Sequence, residues 1–348
     1  MQDFLTQLNN PPADFDEYLD QFAEGIGEVV NSYLFSSDTP DIDRFLYEPL
    51  LEYSQNGGKR HRPLICIAAC LAVGGDLRMA LSSAAAVEHF HTAALIHDDI
   101  EDEAETRRGE PCLHKRQGIP LAINTGDLAL SLVNTTVLTD PLLTDAQKVR
   151  IVSELCNMAR KTIEGQALDI GWARDGRYDL TEDDYFTMAT RKTAHYSGAV
   201  PLAIGAMAGG GSEAQIQALR QYGLNTGLAF QIQDDLLNLI GRAESVKKDF
   251  RSDITEGKRT LMVVHALRNG DEARRAELMD ILSSHETHPG HLARAVQIME
   301  ETGSIGYARV YAETLTAASK RQLVLALPPS QARNVLVSMG DWFVRRLS

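Results

Sequence analysis

A pair of aspartates at the end of an apolar stretch suggests metal chemistry. Asp98 and Asp99 follow the apolar residues 93–96, and Asp102 lies four residues after Asp98. If this stretch is a helix, Asp98 and Asp102 share one face and their like charges repel. Either solvent screens that repulsion or a cation neutralises it, and the apolar residues before the pair argue against full exposure.

The same pattern occurs a second time. Asp234 and Asp235 follow a mostly apolar run, and the oxygen donor Asn238 comes four residues after Asp234. Two clusters of hard oxygen ligands suit Mg²⁺, which keeps several waters and is commonly held by one or two carboxylates together with substrate phosphates. We therefore predict a Mg²⁺ site for a phosphate-bearing substrate. Its candidate ligands are Asp98, Asp102, Asp234, Asp235 and Asn238.

A basic turn supplies cations for such a phosphate. Lys59, Arg60 and Arg62 follow Gly57 and Gly58, and they precede a proline that suits the first turn of a helix. Glycines let the backbone approach an anion, and a helix N-terminus adds partial positive charge. The spacing is not that of a P-loop, and a solvated basic turn is the alternative interpretation.

Further cationic and polar donors flank both acidic clusters. Arg107 and Arg108 follow the first cluster closely enough to share a ligand with it. The other donors are Arg191, Lys192, Thr193, Lys247, Lys248 and Lys258. A charged surface explains any one of them alone. In an acidic chain, however, a phosphate site must be a local concentration of Lys and Arg of this kind.

Three histidines precede Asp98 on the same predicted helix. His89, His91 and His97 could bind zinc by count alone, but the spacing is not HExxH and no cysteine is placed to help. A hydrogen bond to phosphate suits His91, which shares a helix face with Asp98. An EF-hand does not fit, because Ile100 occupies its third position and no glycine occupies its sixth.

The composition bounds the class of protein. The 348 residues include 34 Lys and Arg against 48 Asp and Glu, and the net charge of −14 argues against nucleic acid as a partner. The hydrophobic fraction of 44% is that of an ordinary soluble protein. Four cysteines lack CxxC spacing, which indicates reduced thiols. With no signal sequence and no apolar run of about 18 residues, we expect a cytoplasmic protein without a transmembrane segment.

Helical spacing dominates the sequence and predicts an all-α fold. The helices that carry the two clusters are predicted over residues 76–103 and 213–241. The connections are short and neither a linker nor a repeat is present, so we expect one domain over residues 1–348. The charged stretch 242–257 directly follows the second cluster and is a candidate lid.

Taken together, these motifs resemble those of the trans-isoprenyl diphosphate synthases, the polyprenyl synthetase family, and in particular the geranylgeranyl diphosphate synthases. The resemblance extends from about Gly57 to Arg346 and includes Lys248, Asp253 and Gly257–Lys258 after the second cluster. It implies an all-α fold of long, mostly antiparallel helices around a deep central cavity, usually in a homodimer. It also implies that isopentenyl diphosphate condenses with an allylic diphosphate, namely dimethylallyl, geranyl or farnesyl diphosphate.

The resemblance also assigns roles to the metal-site and catalytic residues. Asp98 and Asp102 would be Mg²⁺ ligands supported by Asp99, and Asp234 would be the principal ligand of the second cluster. Three Mg²⁺ ions would be present with substrate bound. The residues implied to be catalytic are Asp98, Asp99, Asp102, Arg107, Lys192, Asp234, Asp235 and Lys248.

The two diphosphates would bind different cations. Isopentenyl diphosphate would bind the basic turn and the residues near it: Lys59, Arg60, Arg62, His91 and Arg108. The allylic diphosphate would bind Arg107, Lys192, Lys248 and Lys258, and Thr193 and Gln231 would line the reaction centre. Two residues depart from the family pattern: Asn238 stands where many members have Asp, and Arg251 stands where a glycine is common.

The implied reaction is an ionisation followed by carbon–carbon bond formation. Mg²⁺ and the cations stabilise charge on the departing diphosphate, and the alkene of isopentenyl diphosphate attacks the carbocation before a proton is lost. The result is head-to-tail (1′–4) elongation. A terpene cyclase would lack Asp234–Asp235 and would have no use for the basic turn. A non-catalytic subunit of a synthase would not need both clusters and all the cations.

Product length is expected to depend on the helix before Asp98. Ala93 and Ala94 lie about 6 to 8 Å below the carboxylates and leave room for a chain. Phe90 lies about 12 Å down and is a candidate floor of the cavity, although outer-core packing explains a lone Phe equally well. In the family, a small residue at the Ala93 position goes with products longer than farnesyl. We therefore expect geranylgeranyl diphosphate, with a longer polyprenyl diphosphate as the alternative.

Overall fold

The computed structural model describes residues 2–34, 36–241, 251–285 and 287–345, and its regular structure is almost entirely helical. The predicted all-α architecture is therefore confirmed. The α-helices are α1 (Gln2–Leu8), α2 (Phe15–Asn31), α3 (Pro40–Ile42), α4 (Glu48–Gln55), α5 (His61–Ala72), α6 (Leu81–Glu101), α7 (Leu113–Gln117), α8 (Ile119–Leu138), α9 (Asp145–Arg174), α10 (Glu182–Ala189), α11 (Val200–Ala208), α12 (Glu213–Ile240), α13 (Ser252–Thr255), α14 (Leu261–Asn269), α15 (Glu272–Ser284), α16 (Pro289–Glu301), α17 (Ser304–Ala326) and α18 (Gln331–Val344). The other regular segments are π-helical turns at Asp43–Tyr47 and Thr190–Ala199, a 3₁₀ turn at Leu77–Ala80, and the strands β1 (Thr106–Arg107) and β2 (Glu110–Pro111).

The chain divides into two compact units that interleave along the sequence. The first unit comprises the described residues of Met1–Ala159, Tyr196–Tyr222 and Gln322–Met339, and it carries the basic turn and the first aspartate cluster. The second unit comprises those of Arg160–His195, Gly223–Arg321 and Gly340–Ser348, and it carries the second cluster. The single domain expected over residues 1–348 stays a prediction.

In the first unit, α6 packs against α8 and α5 packs against α11. Most of α6 is buried, including the small residues Ala84, Ala85 and Ala86, which let neighbouring helices approach on several sides. The predicted helix over 76–103 therefore exists as the 3₁₀ turn followed by α6. Most of α6 is buried, whereas Asp98 near its C-terminal end is partly exposed to solvent.

The helix α8 is long and apolar. Among the described helices it alone meets the length and composition of a membrane span, with a mean hydropathy of 1.2. A core helix of a soluble protein meets the same test, and α8 packs on α6 through residues such as Ala122 and Ala129. The expected absence of a transmembrane segment stays a prediction.

In the second unit, α12, α14 and α16 contribute most to a continuous apolar core. Ile232 and Leu236 of α12 and Leu261 of α14 are fully buried in it. Thr181 begins α10 with a capping box, because its hydroxyl accepts from the Asp184 backbone N–H and the Asp184 carboxylate accepts from the Thr181 backbone N–H. The predicted helix over 213–241 matches α12.

A small hairpin follows the first cluster, where the sequence analysis identified no strand. Thr106 pairs with Pro111 and Arg107 with Glu110, and the turn consists of Arg108 and Gly109, with φ of 56° and 86°. Positive φ at both central residues gives the tight turn that matches strand twist. Because each strand has two residues, no alternating pattern could reveal it. The hairpin places Arg107 and Arg108 beside the first cluster and the basic turn.

Replacing Gly205 by Ala is expected to destabilise the first unit, because a Cβ there would lie 2.0 Å from the Cys66 carbonyl oxygen and push α11 from α5. Overpacking of this kind costs about 1–3 kcal/mol, which a lower Tm in thermal unfolding would report. The matched control is Gly171→Ala in α9, where a Cβ meets nothing within 4 Å. It should unfold at the wild-type temperature or above it. Equal Tm values for the two variants would contradict the close packing of α5 and α11.

Candidate active site

In the first aspartate pair, one carboxylate is anchored, that is, buried and hydrogen-bonded, and the other is presented, that is, partly exposed to solvent. Asp99 is buried, and its oxygens accept from the Tyr53 hydroxyl at 2.7 Å and from Nε of Arg107 at 2.6 Å. Asp98 is 24% exposed and accepts from Nη2 of Arg107 at 3.1 Å. Asp102 ends the helix and is partly exposed. Asp98 and Asp102 are thus partly exposed and Asp99 is anchored within the protein, and the roles of all three at a metal ion stay predictions.

The pair also fixes the charge of Arg107. Burial opposes the charged guanidinium, but Asp99 and Asp98 more than offset it and raise the pKa of Arg107 above its ordinary value. Burial and Asp99 together raise the pKa of Tyr53, so its hydroxyl stays a donor. Arg107 therefore holds a permanent positive charge against the carboxylates, where a diphosphate would meet both.

The cations expected to bind isopentenyl diphosphate converge on His91. Burial and the neighbouring charges of Arg62, Arg108, His61 and Arg60 hold the pKa of His91 well below its ordinary value. His91 is therefore a neutral hydrogen-bonding group at neutral pH. Its imidazole lies within a concentration of positive charge, in a chain whose net charge is −14. The basic turn and His91 thus lie near one another, and their binding of isopentenyl diphosphate stays a prediction.

Arg62 is held by two residues that the sequence analysis did not single out. Nη2 of Arg62 donates to Ser197 Oγ at 2.8 Å and to the Tyr196 hydroxyl at 3.1 Å. Its guanidinium carbon lies 4.6 Å from the centroid of the Tyr196 ring, which also stacks on His91 at 6.0 Å. Tyr196 and Ser197 are 134 and 135 residues from Arg62 in sequence, so the spacing of residues along the chain could not indicate these contacts.

Arg108 and the basic turn are joined through backbone carbonyls. Nη1 of Arg108 donates to the Asn56 oxygen at 2.8 Å and to the Gly57 oxygen at 2.6 Å. A Cβ at Gly58 would lie 3.0 Å from Nη2 of Arg108, so a glycine allows this approach. Lys59 extends outward, with 56% of its side chain exposed.

Arg60 lies differently from its neighbours in the turn. Its guanidinium faces the protein interior and pairs with Glu88 at 2.6 Å, with both side chains almost fully buried. The structure therefore gives Arg60 a protein partner where a diphosphate contact was expected.

The second aspartate pair repeats the arrangement of the first. Asp235 is 7% exposed and accepts from the Tyr185 hydroxyl at 2.8 Å and from Nε2 of Gln231 at 2.6 Å. Burial, followed by the charge of Asp253, raises the pKa of Asp235 well above its ordinary value, although the two hydrogen bonds act in the other direction. Asp234 is exposed. The pair again presents one carboxylate and anchors the other with a tyrosine.

The predicted lining of the reaction centre forms a hydrogen-bonded chain beside Asp235. The Thr193 hydroxyl donates to Oε1 of Gln231, whose amide nitrogen donates to Asp235. Lys192 forms an ion pair with Asp169, a buried carboxylate that the sequence analysis missed because it lies alone on the long helix α9. Lys258 pairs with Glu256 and lies 3.7 Å from Asp253. Both lysines are thus held by carboxylates of their own unit.

Asn238, expected to be a metal ligand, is engaged by the segment that follows the second cluster. Its Oδ1 accepts from the Asp253 backbone N–H at 3.2 Å, and its Nδ2 donates to Ser252 Oγ at 3.2 Å. Asn238 therefore anchors this segment, and its role as a metal ligand stays a prediction. Arg251 has φ of 63°, a left-handed conformation that glycine adopts without strain.

Two other predicted elements are limited by the described ranges. Lys248 and most of the candidate lid 242–257 lie outside the described residues. Within those ranges, no three His, Cys, Asp or Glu side chains are placed to hold one metal ion. A zinc cage is therefore not built there, whereas Mg²⁺ needs only one or two carboxylates when phosphate completes its coordination.

The residues expected to set product length differ in their surroundings. Ala93 is fully buried in a cluster with Ala129 and Leu132 of α8, whereas Ala94 is partly exposed. Phe90 is buried, and its ring meets that of Tyr196 edge-on at 5.8 Å. Packing thus accounts for Phe90, and its role as a cavity floor stays a prediction.

Comparisons with known proteins agree with the geometry. A sequence model of the polyprenyl synthetase family matches residues 43–299. A short chain isoprenyl diphosphate synthase of Methanothermobacter thermautotrophicus is 40% identical over 304 residues, which are 86% of this chain and 91% of that protein.

Solved structures show the same fold. Geranylgeranyl pyrophosphate synthetase from Pyrococcus horikoshii superposes with a TM-score of 0.86 at 32% identity, covering 94% of this chain and 97% of that one. Geranylgeranyl pyrophosphate synthase from Corynebacterium glutamicum, solved with isoprenyl diphosphate and magnesium, gives 0.85 at 28% identity, covering 94% and 99%.

These matches confirm the resemblance carried by the motifs, the all-α fold and the enzyme class. The protein belongs to the polyprenyl synthetase family and is a trans-prenyltransferase.

Proposed function

We propose that the protein condenses isopentenyl diphosphate with an allylic diphosphate in a Mg²⁺-dependent, head-to-tail (1′–4) reaction. The observation that carries this proposal is the grouping of Arg62, Arg108 and the neutral His91 in a chain that also has two aspartate pairs, each with one anchored and one presented carboxylate. Arginines with a neutral histidine suit a diphosphate that binds without metal, and the presented carboxylates suit a second diphosphate that binds through Mg²⁺.

The donor set fits Mg²⁺ because it consists of exposed carboxylate oxygens, and we propose Asp98, Asp102 and Asp234 as the ligands of three ions. When bound, Mg²⁺ neutralises charge on the leaving diphosphate. Asp99 and Asp235 hold the presented carboxylates in position. Arg107, Lys192, Lys248 and Lys258 are the proposed partners of the allylic diphosphate.

The remaining steps need little chemistry from side chains. The allylic C–O bond breaks and its electron pair leaves with the diphosphate, the alkene of isopentenyl diphosphate bonds to the cationic carbon, and a proton is then lost to the released diphosphate. Thr193 and Gln231 offer oxygens beside Asp235 that suit a developing positive charge. The protein needs no nucleophile in this scheme.

Replacing Asp98 or Asp234 by Ala should lower kcat by at least about a hundredfold, because each change removes a metal contact that stabilises the leaving group. The measurement is incorporation of labelled isopentenyl diphosphate by the purified chain, with a labelled-primer control and with EDTA. Glu101→Gln, at the exposed end of α6, should retain activity. Near wild-type turnover by either alanine variant would contradict the two-cluster scheme. An inactive wild-type chain would instead favour a non-catalytic subunit.

For product length we propose geranylgeranyl diphosphate, with a longer polyprenyl diphosphate as the alternative. The support is the small side chain of Ala93, which lies five residues before Asp98 and belongs to an apolar cluster that includes Ala122 and Ala129 of α8. Growth of the chain along α6 would pass this position.

Ala93→Phe should therefore shorten the main product by at least one isoprene unit, and Phe90→Ala should lengthen it if Phe90 is the floor. Chromatography of the dephosphorylated products measures both. Circular dichroism is the control for folding, since Ala93 is fully buried. An unchanged product from folded Ala93→Phe would show that the chain does not grow along α6.

We also propose a homodimer in the cytoplasm. Val149 and Ile163 of α9 are 65% and 62% exposed, and with Cys156 and Ile170 they repeat every seven residues along one helix face. Exposed apolar residues at this spacing are typical of a helix that packs against another helix. The four cysteines are free thiols, which fits a reducing compartment.

The double variant Val149→Glu/Ile163→Glu should shift the protein from dimer to monomer, because four charges would be buried in a symmetric interface. Light scattering after size exclusion at micromolar concentration measures the mass. The control is Val310→Glu in α17, which is equally exposed at 61% and should keep the wild-type mass. A dimer that survives the double variant would place the interface elsewhere.

A further inference from the structure

The basic turn contains one arginine that is turned away from solvent. The Arg60 and Glu88 side chains are 6% and 3% exposed, and Nη1 of Arg60 lies 2.6 Å from Oε1 of Glu88. Nη2 of Arg60 also donates to the Ser54 carbonyl oxygen. The guanidinium is therefore engaged on both sides by groups of the protein.

The backbone of the turn is strained at the same residue. Arg60 has φ of 48° and directly precedes α5, a conformation that costs a residue with a Cβ. Such a conformation persists only where surrounding contacts determine it. The buried ion pair and the Ser54 contact are the contacts that do so here.

The pair also joins the turn to the helix that carries His91. Glu88 lies on α6 one helical turn before His91, so the two residues are neighbours on that helix. On the other side of the pair, Lys59 and Arg62 flank Arg60: Lys59 extends into solvent and Arg62 reaches the Tyr196 ring. Arg60 thus links the backbone between its two cationic neighbours to the helix that carries His91.

We propose that the Arg60–Glu88 pair is a positioning device for the isopentenyl diphosphate site, and that Arg60 does not touch the diphosphate. The inference rests on the proposed function and adds the residues that set the geometry of this one subsite. Glu88 acts through Arg60, and Arg60 acts through Lys59 and Arg62. Neither residue of the pair contacts the reacting atoms.

The test is a double-mutant cycle with Glu88→Gln, Arg60→Met and the double variant. Glu88→Gln keeps the shape and an acceptor oxygen and removes only the charge. Each single variant should raise KM for isopentenyl diphosphate about tenfold, with KM for the allylic substrate changed less than twofold. The double variant should be no worse than the singles, because both remove the same interaction.

A second ion pair of the same unit provides the control for the effect of removing an ion pair elsewhere in the protein. Arg116 and Glu52 belong to the same unit and form an ion pair at 3.2 Å, with side chains 37% and 60% exposed. Arg116→Met/Glu52→Gln should keep both KM values. Thermal unfolding of every variant, with assays well below the lowest Tm, keeps folded protein in each measurement. If Arg60→Met does not fold, Arg60→Lys replaces it, since lysine keeps the charge but lacks the fork that reaches Glu88 and Ser54 together.

Two outcomes would overturn the proposal. If Arg60→Met raises KM for isopentenyl diphosphate while Glu88→Gln does not, Arg60 binds the diphosphate directly. If both substrates lose affinity equally, the pair only supports folding.

Calorimetric titration with inorganic pyrophosphate, without divalent metal, separates this inference from the proposed function. A wild-type chain without turnover would refute the function, whereas weaker pyrophosphate binding by Glu88→Gln would still support the positioning role.

Discussion

Repulsion between adjacent carboxylates is the constraint on which the site depends. Each aspartate pair must hold two negative charges within a few ångströms before any metal arrives. The protein meets this in the same way twice: a tyrosine hydroxyl bonds the second carboxylate, Tyr53 to Asp99 and Tyr185 to Asp235, and the first is left exposed. Arg107 adds a cation at one pair, and burial that raises the pKa of Asp235 reduces the charge at the other.

The opposite problem arises among the cations. Several arginines must lie close together in the first unit without a bound anion to neutralise them. Their charge is distributed among protein acceptors: Arg60 on Glu88, Arg62 on the Tyr196 ring and hydroxyl, Arg108 on backbone carbonyls. Because His91 is neutral in their midst, it adds a hydrogen-bonding group without adding repulsion. These contacts fix the side chains of the proposed isopentenyl diphosphate site in advance, and side chains that are already ordered lower the entropic cost of binding a ligand.

The sequence identifies candidate ligands but not the residues that hold them in place. Helical spacing placed both aspartate pairs on long helices, and the basic turn, His91 and Arg108 do converge. The partners Tyr53, Tyr185 and Tyr196 lie 46 or more residues from the groups they contact, and contacts at that separation leave no periodic signal. The hairpin after α6 is too short for alternation. Asn238 had the type and spacing of a ligand, and only the fold shows that Ser252 and Asp253 engage its amide.

Asn238, near the end of α12, also forms hydrogen bonds with the chain that follows residues 242–250. Its carbonyl oxygen accepts from the Arg251 N–H at 3.1 Å, and its side chain accepts from the Asp253 N–H. The chain before residue 242 and the chain after residue 250 are therefore tied at one asparagine. The segment that carries Asp253 and Lys258 is therefore held directly against the helix that carries the second aspartate pair, so a substitution at Asn238 would disturb both sides of the proposed allylic site at once.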